Sequence, residues 1–381
     1  MPRTPYLIVH HGTSHTPMVA KGLLSQAHRA GFPVGATVFL PMFAPDTARR
    51  YLSDFAEVAA PTIGDPVTHV LHREENRRGG ERDKWRYMGI PDPASKPGPF
   101  VSQVLLAQTQ TGADTVVTPS LVHGLDGSLR NLEATALFAQ HGQDSPLVGD
   151  RRLLLGTTVT AAILADDKAR SDYLNALVEF PSGDLYMRVL LSGSPGYEQV
   201  RDRRLIAGLR RAVEALRAND RAVVLPHIGL LGWAMTAFGA EAFGAGISAS
   251  MQRCCEPSPS RRGQARRLPW YFVPQLLTFV LRDDLAQLQG LSGYEPCDCA
   301  FCRTLLLPRR PWDPNEAGQH FLFSCCRLAG ELPADEASRP EDLRRRLVAA
   351  AELLEVIRSA GRPLDARSEP KHLADWTAAL T

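Results

Sequence analysis

Short apolar runs rich in β-branched residues alternate with longer helical segments through the first two-thirds of the chain. Runs of this kind, bounded by turn residues, are typical of buried strands. The pattern predicts eight strands, at positions 6–10, 37–41, 68–72, 114–118, 152–159, 184–191, 222–226 and 245–248. Eight strands with intervening helices favour an α/β fold, a (β/α)₈ barrel; an open doubly wound sheet would show the same alternation.

The segments between these runs have the periodicity of amphipathic helices. In 201–217, one face carries Leu205, Leu209, Val213 and Leu216, and the arginines lie on the opposite face. A face of this kind packs against a core. We therefore predict an outer ring of helices around the strands.

The chain changes character after Leu291, where short cysteine-containing loops follow an apolar segment at 270–281 that we predict to be helical. The organisation predicted is a barrel over 1–290, a metal-binding subdomain over 291–330 and a C-terminal helical segment over 331–381 that packs on the barrel.

A last amphipathic helix is predicted to begin at Ser338. The run from Ser338 to Glu341 resembles a capping box with proline in the first turn. The stripe predicted to be buried consists of Leu343, Leu347, Leu354 and Ile357.

All seven cysteines lie between Cys254 and Cys326. Clustered cysteines in an intracellular chain indicate a metal site more often than disulfides. Cys297, Cys299 and Cys302 place three thiolates within six residues, which lets them converge on one tetrahedral ion with zinc–sulfur distances of ~2.3 Å. The spacing predicts a zinc site.

Three thiolates leave one coordination position. His320 is the nearest downstream histidine, at the start of an apolar helical segment, and Cys325 and Cys326 are the alternatives. A site closed by four protein ligands is structural. We therefore predict a structural zinc ion that braces the fold and does not activate water.

The formal net charge of +2 does not by itself indicate a polyanionic partner. Basic residues are nevertheless concentrated at 73–86 and 260–267, and both segments are predicted to follow strands at the end of the barrel where active sites are built. In the second loop, Arg261 and Arg262 are candidates for binding phosphate.

The apolar stretch 223–250 is long enough to suggest a membrane span. It contains Pro226, His227 and Glu241 as well as several glycines, so strands, loops and a short helix are predicted instead. No apolar leader follows Met1. No membrane association and a cytoplasmic location are expected.

The zinc pattern and its place in the chain resemble those of the tRNA-guanine transglycosylases and their DNA-modifying relatives. A C-x-C-x-x-C…H site after the last strand of an eight-stranded barrel is their signature, and 224–248 is similar to the segment that leads to their nucleophile. The resemblance implies exchange of guanine for a 7-deazaguanine in tRNA or DNA, with a structural zinc ion and a nucleic-acid partner.

Two elements depart from that family. Its nucleophilic aspartate ends a run that reads approximately Gly-x-Asp-x-Phe-Asp, and the matching run here, from Gly239, ends in Gly244. Its Asp-Ser-Gly-Gly-Phe-Gln element has no recognisable counterpart. Whether the chain is an enzyme is therefore left open.

Catalytic candidates follow from the predicted strand ends. Asp126 is the best-placed carboxylate, and His123 lies three residues earlier in the same loop. Base exchange needs a nucleophile and a group that handles the proton of the purine. His227 and Gly229 are candidates for contacting the base.

Two other functions fit the same residues. A non-catalytic barrel that keeps its zinc and binds nucleic acid or a partner protein explains Gly244 directly. A small-molecule barrel enzyme is the third alternative, because a fold does not determine a function. The sequence leaves open the polymer, the base and the formation of a homodimer.

Overall fold

The structure is a computed structural model. It describes residues 4–11, 17–72, 85–90, 93–125, 129–191, 197–247, 249–255, 268–307 and 309–381.

Eight parallel strands close into a barrel, because each pairs with its neighbour along the chain and the first pairs with the last. The strand segments are β1 (Tyr6–His11), β2 (Val34–Phe39), β3 (Thr62–Asp65), β4 (Thr115–Val117), β5 (Val122–His123), β6 (Arg152–Thr160), β7 (Leu185–Leu190), β8 (Val223–Leu225) and β9 (Ala240–Gly246). Both β4 and β5 pair with β6, one after the other, and together fill one strand position. The predicted (β/α)₈ barrel is confirmed.

Helices surround the barrel and continue beyond it. The α-helices are α1 (Pro17–Arg29), α2 (Pro45–Ala56), α3 (Pro97–Gln110), α4 (Leu129–Gln143), α5 (Ala161–Ala165), α6 (Asp167–Val178), α7 (Arg203–Ala218), α8 (Leu230–Thr236), α9 (Ala249–Gln252), α10 (Leu285–Leu288), α11 (Ala300–Leu305), α12 (Pro314–Gly330), α13 (Arg339–Ser359) and α14 (His372–Leu380). Short 3₁₀ helices span Leu40–Met42, Thr68–His72, Arg86–Gly89, Pro93–Ser95, Pro274–Leu276, Arg282–Asp284 and Glu336–Ser338.

Alternation along the strands divides the apolar residues between two cores. In β1, Ile8 points into the barrel, whereas Leu7 and Val9 pack against the helices. The inner core consists of Tyr6, Ile8, Ile63, Val117, Leu154, Tyr186, Val224 and Ala242. The barrel is therefore a packed core whose chemistry is confined to its ends.

A polar network closes the end of the barrel where the strands begin. Arg152 Nη2 donates to Glu241 Oε2 at 2.8 Å, and Arg152 Nε donates to Asp184 Oδ2 at 3.1 Å. The Tyr6 hydroxyl donates to Glu241 Oε1 at 3.2 Å. The buried Glu241 carboxylate is thus paired, and this end of the barrel serves stability.

The predicted third strand, 68–72, is wrong. That segment is a 3₁₀ helix, and the third strand is Thr62–Asp65. Gly64 and Asp65 have low strand propensity, but β3 is hydrogen-bonded between β2 and β4, and this pairing outweighs local preference.

Two further elements differ from the prediction near the end of the barrel. The last barrel strand is Ala240–Gly246, earlier than the predicted 245–248. The predicted helix at 270–281 is a hairpin of β10 (Trp270–Val273) and β11 (Thr278–Leu281). Its turn contains Leu277 at φ 51°, and aromatic and β-branched residues favour the strands around it.

The predicted capping box at Ser338 is also wrong. Ser338 has helical backbone angles, and its hydroxyl donates to Asp335 Oδ2 at 2.7 Å instead of capping α13. The 3₁₀ turn Glu336–Ser338 leads into the helix and is itself capped by Asp335, whose side chain accepts from the Ala337 N–H at 3.2 Å. The predicted buried stripe of α13 is confirmed at Leu343, Leu347, Leu354 and Ile357.

The apolar stretch 223–250 is divided between β8, α8, β9 and the start of α9. Within the part of the chain that the structure describes, no helix has the length and apolar character needed to cross a membrane.

The buried imidazole of His372 makes stability depend on pH. Burial lowers the pKa of His372 to about 3, and a hydrogen bond with the backbone of Leu277 only partly opposes this. An unfolded histidine has a pKa of about 6.5, so below that pH the unfolded chain binds one proton more than the folded chain. The contribution of the neutral His372 to the free energy of unfolding is complete above pH 6.5. It is lost as the pH falls towards 3, by up to about 1.4 kcal/mol per pH unit.

We expect His372→Phe to flatten this dependence. Urea unfolding should be measured at pH 7.5 and at pH 5.5. Between these conditions, the free energy of unfolding of the variant should fall by about 1 kcal/mol less than that of the wild type. Equal losses in both proteins would contradict the buried, neutral state of His372.

Candidate functional site: the metal centre and the barrel mouth

Cys297, Cys299, Cys302 and His320 form one compact group, with their ligand atoms all within 4.8 Å of one another. Cys302 Sγ lies 3.4 Å from Cys299 Sγ and 3.2 Å from His320 Nδ1. A tetrahedral ion with bonds of ~2.3 Å separates its ligand atoms by about 3.8 Å. The group could therefore hold a metal ion.

Local structure brings the three thiols together. Cys299 is the N-cap of α11, and Cys302 lies in the first turn, where its N–H donates to the Cys299 carbonyl at 3.0 Å. Cys297 lies in the preceding loop and is half-buried, whereas the other members of the group are buried. A loop that turns into a helix thus directs all three sulfurs to one side.

His320 lies in the interior of α12, two turns after its first residue, and not at the predicted helix start. Its Nε2 donates to the Phe272 carbonyl oxygen at 2.7 Å, which leaves Nδ1 as the atom that faces the sulfurs. Tyr271 stacks on the imidazole at 4.4 Å, and its hydroxyl lies 3.1 Å from Cys302 Sγ. Partners of this kind orient a metal ligand.

The alternative fourth ligands do not belong to the group. Cys325 and Cys326 are fully buried farther along α12, and the metal-binding group contains neither of them. Burial raises the pKa of the Cys326 thiol to about 12 and raises that of Cys325 as well. The two are packing residues.

The metal centre is connected to the barrel through α12. A Cβ atom at Gly318 would lie 2.1 Å from Ile247 Cγ2, so the helix approaches the chain directly after β9 as closely as glycine permits. Near the middle of the helix, Phe323 packs edge-on against Phe32. An ion held by His320 would therefore brace the barrel as well as the cysteine loop.

At the opposite end of the barrel from Arg152, the inward-facing side chains become polar. Asp65 ends β3, and its Oδ2 accepts from Arg188 Nη2 at 2.5 Å and from the Tyr186 hydroxyl at 2.9 Å. The pair is buried, with side-chain exposures of 1% for Asp65 and 3% for Arg188. Burial opposes the charge of Arg188, but the Asp65 carboxylate outweighs it and raises the pKa of the guanidinium.

Two stacked histidines lie beside this ion pair. The rings of His10 and His227 are 4.1 Å apart, and His227 Nε2 is 4.0 Å from Asp65 Oδ2. Burial holds the pKa of both imidazoles well below the usual value, and the positive charge of Arg188 lowers the pKa of both further. Both rings are therefore neutral at physiological pH.

His10 has a defined tautomer. Its Nε2 accepts from the backbone N–H of His227 at 3.0 Å, so its proton is on Nδ1. Nδ1 is buried and has no hydrogen-bond partner among the described residues. Arg188 Nε and Gln252 Nε2 are also buried and also have no hydrogen-bond partner among the described residues.

The turn after β8 is held tightly against β9. His227 has φ 52° and Gly229 φ 59°, and the N–H groups of Ile228 and Gly229 both donate to the Gly244 carbonyl at 3.1 Å. The N–H of Cys254 donates to the His227 carbonyl at 2.9 Å. Backbone strain of this kind in a turn accumulates at functional sites.

Gly244 is glycine because His10 occupies its side-chain space. A Cβ atom at this position would lie 2.1 Å from His10 Nε2 and 2.6 Å from its Cε1. The imidazole reaches from β1 across its pairing with β9. A carboxylate at position 244 could therefore not be accommodated while His10 keeps this position.

We expect Gly244→Ala to lower the free energy of unfolding by about 1–3 kcal/mol, because the added methyl group overpacks the mouth. The penalty should shrink when His10 is also replaced by alanine, in a double-mutant cycle followed by urea unfolding. Gly89→Ala is the matched control, since a Cβ atom there would meet nothing within 4 Å. Additive effects of His10→Ala and Gly244→Ala would contradict the contact.

The predicted site residues are distributed unevenly. His227 and Gly229 lie at the mouth, in the turn after β8. The ring of His123 stacks on Tyr173 of α6 at 5.6 Å, in the layer between the strands and the helices, so the structure does not bring it to the mouth. Asp126, Arg261 and Arg262 lie outside the described residues.

The ion pair at the mouth was not predicted from the sequence. Arg188 interrupts the apolar strand Leu185–Leu190, and a charged residue at a buried strand position signals a paired partner. That signal could have found Arg188. Asp65 could not have been found in the same way, because its strand was not recognised.

No family model matches the chain, and no curated protein has a significantly similar sequence.

Proposed function

We propose that the chain is a zinc-containing, transglycosylase-like barrel that handles a guanine or 7-deazaguanine base in tRNA or DNA. The observation that carries the proposal is the largely buried group of three cysteines and one histidine, which follows a closed eight-stranded barrel in the chain and is connected to it by α12. The resemblance in motif and position is specific to this class of enzyme.

Zinc is the ion that the donor set favours. Three thiolates and one imidazole suit a tetrahedral zinc ion, and four protein ligands leave no position for substrate or water. The role proposed for the ion is to brace α11, α12 and the β10–β11 hairpin against the barrel. It takes no part in the chemistry at the mouth.

The base would bind at the mouth, after leaving its stack in the nucleic acid. Three buried donors there have no partner among the described residues, on His10, Arg188 and Gln252. Guanine carries acceptors at O6 and N7 that such donors could match. The neutral His227 would contact the ring, and Asp65 would hold Arg188 and Tyr186 in place.

The contact between His10 and Gly244 favours a second candidate. A barrel whose nucleophile position is filled by an imidazole could bind a base or a nucleic acid without exchanging it. This non-catalytic alternative keeps the zinc and the mouth. It predicts binding without incorporation.

The test is incorporation of labelled guanine, and separately of a labelled 7-deazaguanine, into tRNA and into duplex DNA by the purified, metal-loaded protein. Incorporation that is lost in Asp126→Ala would assign the nucleophile to that residue. Incorporation that survives in Asp126→Ala but falls at least tenfold in Tyr186→Phe would support the base site at the mouth.

A protein that carries its metal and binds nucleic acid but incorporates neither base would rule out the exchange reaction and leave the non-catalytic barrel. A protein that binds neither polymer at low salt would contradict both candidates.

A further inference from the structure

A basic cleft of about 690 Å³ lies between the starts of α6 and α7, outside the barrel mouth. Its basic lining residues are Lys168, Arg170, Arg203, Arg204, Arg210 and Arg211. Among the described residues, the acidic side chains that line the cleft are Asp166 and Asp167. The last turn of α14 closes its far side.

Close packing of helices creates this concentration of charge. A Cβ atom at Gly208 of α7 would lie 1.8 Å from the Leu164 carbonyl oxygen, so only glycine lets α7 approach α5 this closely. Arg170 Nη1 donates to that same carbonyl at 3.0 Å and lies over Gly208. The guanidinium of α6 is thereby placed alongside the arginines of α7.

The Asp167 carboxylate is shared by two arginines, and a third lies close enough to act on its charge. Asp167 Oδ1 accepts from Arg170 Nη2 at 2.5 Å and from Arg211 Nη1 at 3.2 Å. Arg170, Arg211 and Arg204 all lower the pKa of Asp167, the first of these most strongly. Arg204 is exposed and forms no ion pair with any residue that the structure describes. Positive charge therefore exceeds negative charge around Asp167.

Two of the other basic residues of the cleft, Lys168 and Arg210, have exposed partners, whereas the partner of Arg203 is only 13% exposed. Lys168 pairs with Asp172, Arg203 with Asp375 and Arg210 with Glu214. Surface pairs of this kind contribute little to stability, about 0–1 kcal/mol each. An incoming phosphate can therefore compete for Lys168 and Arg210 at small cost.

The cleft lies on the side of the barrel where the mouth is. Helix α6 follows the end of β6 after the short helix α5, and α7 follows the end of β7. Helices in such a barrel begin at the end where the strands finish. Arg204 and Arg211 are two turns apart, about 10 Å along the helix, and would meet different phosphates of one strand.

We propose that this cleft binds the phosphodiester backbone of the nucleic acid whose base enters the barrel mouth, an inference that rests on the proposed function. Arginine suits this role because its fork of donors matches phosphate oxygens. The surface is separate from the loop at 260–267.

The experiment is the salt dependence of binding of a fluorescent oligonucleotide by the full chain, as single strand and as duplex. Arg204→Ala with Arg211→Ala should weaken binding by roughly tenfold at low salt and should reduce the slope of log K against log salt by about 1.5, because two phosphate contacts are lost. Arg344→Ala with Arg358→Ala removes the same charge from exposed positions on α13 and should leave affinity and slope unchanged.

Equal affinity and slope in the two double variants would overturn the proposal. So would full competition by inorganic phosphate at matched ionic strength, since that would show a site for a small anion only. Weaker binding in the cleft variant without any base incorporation by the wild type would support the cleft and contradict the exchange reaction. If the wild type incorporates a base, and the cleft variant keeps both the wild-type incorporation and the wild-type salt slope, the exchange reaction would be supported and the cleft contradicted.

Discussion

Cys299→Ser is expected to release the bound metal ion and to lower the free energy of unfolding by at least about 3 kcal/mol, because the binding energy of a structural metal is folding energy. The sulfur of Cys299 is buried and lies 3.4–3.5 Å from Cys302 Sγ and His320 Nδ1. Serine is a far weaker ligand for zinc than a thiolate. The readouts are metal content per chain after gel filtration and the urea midpoint.

Cys326→Ser is the matched control for this prediction. Cys326 is fully buried in the helix that carries His320, but it does not belong to the metal-binding group. The control should keep one metal ion per chain. Its free energy of unfolding should fall by only about 1–2 kcal/mol, because the introduced serine buries a hydroxyl group. A Cys299→Ser protein with full metal content and wild-type stability would show that the group is not the metal site.

Asp65→Asn is expected to lower the free energy of unfolding by about 3–5 kcal/mol, since it leaves the buried guanidinium of Arg188 without its counter-charge. Among the described residues, no second carboxylate replaces Asp65 as the partner of Arg188. Its Nη2 donates to Asp65, and its Nε has no hydrogen-bond partner there. Replacing both residues, as Asp65→Asn with Arg188→Met, should recover part of the loss. Urea unfolding of the three proteins measures this.

Asp184→Asn provides the comparison, because Asp184 also pairs with an arginine, Arg152, but both side chains are about one-quarter exposed. The free energy of unfolding of Asp184→Asn should therefore fall by only about 1 kcal/mol. Equal losses for Asp65→Asn and Asp184→Asn would contradict the buried character of the pair at the mouth.

Elements with a strong local signal were predicted well. Helix α7 was expected from its four apolar positions, and all four are buried. The strands β6 and β7 were expected from their aliphatic runs. In each case the residues that identify the element are those that face the core, so pattern and packing agree.

Elements that depend on their neighbours were missed or misplaced. Strand β3 has only four residues and includes Gly64 and Asp65. Strand β9 is rich in alanine and glycine, which local preference assigns to turns or helix. Both are strands because the barrel places a partner on each side.

By itself the sequence determined the alternation that predicts a barrel and the three cysteines of the metal centre, because both signals lie within a few residues of chain. Only the tertiary structure decided that Asp65 pairs with Arg188, 123 residues away, and that His10 takes the space of a side chain at Gly244. Closing the barrel brings the ends of distant strands together, and no local pattern records which side chains then meet.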